Sequence, residues 1–115
     1  ITMRGDETPS FMKSFDTYGV LGPWLVTREE IADPQNLDIS LWVNGERRQQ
    51  ENTRRMVLDV ASMVEFASSV MTLYPGDVFM TGNPKCASRI NPDEMMLAEI
   101  ASIGSMEVAV RAHKP

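Results

Sequence analysis

The sequence predicts a mostly β domain with one main helix, an α+β chain, and three observations carry that reading. Side chains alternate between apolar and polar from Asp38 to Val43 and from Met106 to Arg111, the two-residue period of a half-buried strand. Only one stretch, Val60 to about Met71, repeats its apolar residues at helical spacing. The runs are separated by turn signals, Asn44-Gly45, Pro75-Gly76-Asp77 and Pro92-Asp93-Glu94, and not by the regular strand and helix alternation of a parallel sheet.

Residues 1–12 mix charge, Gly, Pro and Ser without periodicity and read as an irregular lead-in. After a turn at Gly22-Pro23, Thr27 stands three residues before Glu30 in the pattern of a capping box, so a single helical turn starts there. Asp33-Pro34 stops it, because the residue before proline is pushed out of the helical region. In the strand that follows, Ile39, Leu41 and Val43 share one face, and Trp42 on the other marks a covering layer or an interface. Asn44-Gly45 tolerates positive φ at both central positions of a type I′ turn, so the chain doubles back through Glu46 to Gln50 as a hairpin.

The helix from Val60 carries Met63, Val64, Ala67, Val70 and Met71 on one stripe, with Asp59 or Ser62 placed to cap its start. A Met-rich stripe of this kind is adaptable packing. Val78 to Thr81 reads as a short β run, and Met95 to Ile100 with Gly104 onward as a closing hairpin. At 115 residues the chain has the length of one small domain.

Composition excludes several functions. A formal charge of −5 with scattered Lys and Arg leaves no footprint for nucleic acid. No apolar run approaches the roughly 20 residues of a membrane span, and a cytoplasmic setting is expected. Cys86 and His113 stand alone of their kinds, which leaves neither an intrachain disulfide nor a zinc pattern. Arg4-Gly5-Asp6 is read as a chance tripeptide. No phosphate-binding loop and no nucleophile elbow occurs, and Glu29, Glu30, Asp33 and Asp38 read as a solvated face.

Five blocks in series carry more. They are Lys13-Ser14-Phe15-Asp16-Thr17-Tyr18, Leu21-Gly22-Pro23-Trp24-Leu25-Val26-Thr27, Asn36-Leu37-Asp38, Leu41-Trp42-Val43-Asn44-Gly45-Glu46 and Pro75-Gly76-Asp77-Val78-Phe79-Met80-Thr81-Gly82-Asn83-Pro84. In that order the chain resembles the carboxy-terminal half of the fumarylacetoacetate hydrolase family, whose members act on 2-oxo and 2-hydroxy acids with a divalent metal. The resemblance implies a part of that family's mixed β roll or sandwich. It implies metal-dependent C–C cleavage, decarboxylation or isomerisation of a small carboxylic acid, as in the breakdown of aromatic compounds. The metal, Mg or Mn, is held in the family by a Glu-x-Glu pair and a later Asp that precede the Lys-Ser-Phe block, so its ligands are expected outside this chain. The expected partners are a second copy, as a homodimer, or a missing amino-terminal half.

By the same resemblance, Lys13 is the catalytic residue and binds substrate. Its ammonium meets the substrate carboxylate or the oxygen that gains charge as the bond breaks, which stabilises the transition state more than the ground state. Ser14, Phe15, Asp16 and Thr17 are expected to hold the strand that aims it. Gly82 and Asn83 are the second substrate contact, where the family usually has Thr-Gly-Thr-Pro followed by a Gly-rich turn. Asn83 keeps donor and acceptor capacity, whereas Lys85, Cys86, Ala87, Ser88 and Arg89 replace the Gly-rich turn. Lys85 and Arg89 read as exposed loop charges. The alternatives to an enzyme are a non-catalytic scaffold that keeps the β framework for association, and a small-acid binding module that keeps Lys13 without chemistry.

Overall fold

The computed structural model describes residues 11, 13–85 and 88–112. Four strands, β1 (Asp38–Val43), β2 (Glu46–Asn52), β3 (Met95–Ile100) and β4 (Gly104–Ala109), form one antiparallel sheet in the order β2-β1-β3-β4. Among the described residues the main helix, α1 (Val60–Val70), lies between the two hairpins in sequence. The α+β expectation is met.

The first hairpin forms as its turn chemistry dictates. Asn44 and Gly45 take φ of 49° and 80°, the left-handed pair of a type I′ turn. Asn44 also joins the hairpin to β3: its N–H donates to the Met95 carbonyl and its Oδ1 accepts from the Met95 N–H, each at 2.9 Å. The strand register contains an irregularity that alternation alone does not reveal. Leu41 pairs with Gln49, but Trp42 pairs with Arg47, so Arg48 is the extra residue of a β-bulge.

The expected helical turn appears as a 3₁₀ turn at Arg28–Glu30, and the Glu30 carboxylate accepts from the Thr27 N–H at 3.0 Å. Helix α1 starts at Asp59, whose Oδ1 accepts from the Ser62 N–H at 2.6 Å. The Val60 N–H, another donor without an intrahelical acceptor, is taken by Gln35 Oε1 at 2.8 Å.

Two sequence expectations are corrected. Val78 to Thr81 is irregular, not a strand, because a strand needs a hydrogen-bonded neighbour and none of the four strands runs beside it. The apolar stripe of α1 is covered only in part. Val60, Met63 and Ala67 are half-buried, whereas Val64, Val70 and Met71 are exposed for want of a layer over them.

The core is small. Leu37 and Val43 are the buried apolar residues among those described, while Leu25, Val57, Phe66 and Met80 stand largely in solvent. One long-range contact closes the sheet's end: Trp24 Nε1 donates to the Ile103 carbonyl at 2.8 Å, and its ring lies where a Cβ on Gly104 would come, 2.6 Å from Cζ2. No helix among the described residues is long and apolar enough to cross a membrane.

Candidate functional site

Lys13 sits in a turn, not on the expected strand. The Ser14 N–H donates to the Phe11 carbonyl and the Tyr18 N–H to the Phe15 carbonyl, each at 3.1 Å, so two tight turns follow one another. Thr17 has φ of 69°, which an extended segment does not allow. Phe11 meets Phe15 edge-on and Phe15 meets Tyr18 at a tilt along this segment, with ring centroids 5.6 and 5.4 Å apart. The Lys13 side chain is exposed.

Gly82 and Asn83 form the second expected element. Gly82 has φ of 94°, a conformation glycine adopts without penalty, in an irregular segment that bends at Lys85. The Asn83 Nδ2 donates to the Pro84 carbonyl at 3.0 Å, and the residue is exposed, so its Oδ1 and second N–H remain for another partner. Lys85 and Arg89 are exposed, as expected of loop charges. Gly82 and Asn83 thus share one corner, but among the described residues no hydrogen bond or ion pair ties Lys13 to it.

Sequence reasoning missed Gln49. From the middle of β2 its Nε2 donates to the Lys85 carbonyl at 3.2 Å and, at the long limit, to the Pro84 carbonyl at 3.4 Å. No local signal marks it, because its partners are 35 and 36 residues away.

The acidic residues do not gather. Among the described residues no three His, Cys, Asp or Glu side chains converge as metal ligands do. Cys86 and His113 lie outside the described residues, as does the Arg4-Gly5-Asp6 tripeptide. The described residues therefore do not fit a divalent cation, and no chemical step is derived through one.

This arrangement defines an α+β chain with a four-stranded antiparallel sheet, a Gly-Asn-Pro segment joined to it through Gln49 and an exposed lysine turn, and among the described residues no cluster of metal ligands. The fumarylacetoacetate hydrolase C-terminal family model matches residues 2–111, and the chain belongs to the fumarylacetoacetate hydrolase family. It is 54% identical over 112 residues to a maleylpyruvate hydrolase from Aquipseudomonas alcaligenes, covering 97% of this chain and 39% of that protein. The solved maleylpyruvate hydrolase from Sphingobium sp. SYK-6, in complex with manganese(II) and pyruvate, is 41% identical with a TM-score of 0.79, over 81% of this chain and 35% of that one. A 5-carboxymethyl-2-hydroxymuconate delta-isomerase from Mycobacterium smegmatis is 36% identical with a TM-score of 0.79, over 84% of this chain and 38% of that one. The chain thus spans about two fifths of the length of the curated relative it matches.

Proposed function

We propose that this chain is the acid-binding part of a larger cytoplasmic catalytic domain that hydrolyses an acylpyruvate, a 2-oxo acid of the kind formed in the breakdown of aromatic compounds. The observation that carries the reading is its 54% identity, along 97% of its length, to a maleylpyruvate hydrolase. In this reaction water adds to the acyl carbonyl and the adjoining C–C bond breaks. The electron pair leaves as the enolate of pyruvate, which takes up a proton, and the acyl part leaves as a carboxylic acid.

Lys13 pairs its ammonium with the substrate carboxylate and offsets the charge that grows on the enolate oxygen. Gly82, with no side chain, lets the acid approach the backbone, and Asn83 donates its second N–H. A divalent ion, Mg or Mn, would supply Lewis-acid polarisation of the 2-oxo acid when bound, with ligands drawn from outside the described residues. Bound manganese and pyruvate in the Sphingobium relative support both assignments.

The exposed surface supports a larger domain. A compact protein of 12.9 kDa presents about 6,300 Å², and this chain presents 9886 Å², more than half again as much. A standard interface takes about 800 Å² from each partner, so a homodimer alone leaves much of the excess uncovered. The missing half of the domain is the better match, with homodimerisation of the completed enzyme beyond it.

The test is turnover. The complete polypeptide, supplied with manganese, is expected to release pyruvate from maleylpyruvate or fumarylpyruvate, and the 115-residue chain alone is not. A complete polypeptide that folds and binds manganese but releases no pyruvate from either acid would point to the scaffold.

A further inference from the structure

Gln49 has no part in the reaction described above, yet its side chain fastens Pro84 and Lys85, the residues that follow the Gly82–Asn83 corner, to the sheet. We propose that Gln49 is a positioning residue: it sets that corner in the orientation that meets the substrate's carboxylate. The proposal rests on the assignment of Gly82 and Asn83 to the acid.

Two independent features support it. The first is the bulge. Residues paired directly across an antiparallel ladder point to the same side of the sheet, so Gln49 shares a side with Leu41, and Glu46 shares that same side with Val43. Gln49 lies three positions after Glu46, and strict alternation would place them on opposite sides. The extra Arg48 resets the alternation and brings Gln49 round to the Leu41 side. Without it, Gln49 would join Ser40 and Trp42 on the other side, away from the loop.

The second feature is the hydrogen-bond chemistry. The Pro84 carbonyl accepts from two donors, Asn83 Nδ2 at 3.0 Å and Gln49 Nε2 at 3.4 Å, and a carbonyl oxygen has two lone pairs to receive them. The atom that orients the Asn83 side chain is therefore the one Gln49 holds, and the 3.2 Å bond to the next carbonyl, that of Lys85, fixes the plane. A neutral amide with two N–H groups suits two adjacent carbonyls. A carboxylate of the same size offers no donor and repels both.

The test uses the complete, manganese-loaded polypeptide and three variants: Gln49→Glu, Gln49→Met, which keeps the length without a donor, and Gln49→Lys, which restores one. Two quantities are read, backbone hydrogen exchange by mass spectrometry and the affinity for pyruvate. In Gln49→Glu and Gln49→Met, exchange at Thr81–Lys85 is expected to rise about tenfold while Asp38–Val43 is unchanged, and the pyruvate Kd to rise about tenfold, the scale of one or two lost hydrogen bonds. Gln49→Lys is expected to recover most of both. Unchanged exchange at Thr81–Lys85 overturns the role of Gln49 and leaves the acid-binding assignment standing. Exchange that rises equally in all strands also overturns it, since that marks general destabilisation. Local loosening with unaltered pyruvate affinity overturns the assignment of the corner to the acid, and the positioning role with it.

Discussion

Gly104 shows how a single position can be constrained twice. Its φ of 124° lies where side chains are strained, and a Cβ there would meet the Trp24 ring at 2.6 Å. Gly104→Ala is therefore expected to destabilise the fold by about 2 kcal/mol or more, read from denaturant midpoints, and pairing it with Trp24→Ala is expected to recover the steric part alone. Asp59 makes a pH-dependent contribution. The Ser62 backbone N–H, then the Ser62 side chain, holds its carboxyl below the ordinary value of 3.8. The folded state thus binds fewer protons than the unfolded state, so this stability is full above about pH 4 and is lost as pH falls through the lowered value. Asp59→Asn, which keeps a capping oxygen, is expected to flatten the acid limb of melting temperature against pH between about pH 5 and pH 2. Glu94 behaves in the same direction, held low first by the Asn91 backbone N–H. The Asp59 cap was legible because its partner lies three residues away, whereas the Trp24 contact with Ile103 spans 79 residues and left no local trace.

At the scale of elements, what could be read depended on whether the cause was local. The hairpin of β1 and β2 followed from an Asn-Gly pair and a two-residue period, and both bounds of β1 matched the alternating run. Asn44 carries more than the turn, since its side chain also accepts from Met95 on the neighbouring strand. Asn44→Gly is expected to keep the turn and lose only that bond, costing about 1 kcal/mol, and Asn44→Ala to cost more because it also opposes the positive φ. Comparison of their thermal midpoints separates the two contributions. Val78 to Thr81 was misread because its apolar run satisfies the pattern of a strand while the partner that makes a strand is not among its neighbours. The bulge at Arg48 escaped for a related reason: the sequence Glu46 to Asn52 is polar throughout and carries no alternation from which a slip could be noticed.

Across the whole molecule, the radius of gyration of 15.7 Å exceeds the roughly 13 Å of a compact domain of this length, and among the described residues only Leu37 and Val43 are buried. Both observations fit a chain that spans about two fifths of its curated relative. The candidate site follows the same logic. Its Gly-Asn-Pro segment and lysine were legible as sequence blocks, whereas among the described residues no hydrogen bond or ion pair brings the two together. The most direct measurement is the pyruvate affinity of the complete, manganese-loaded polypeptide with Lys13→Met. Loss of one charge-assisted bond is expected to raise the Kd about ten- to a hundredfold with manganese affinity unchanged. A Kd equal to that of the parent would contradict the assignment of Lys13 to the acid.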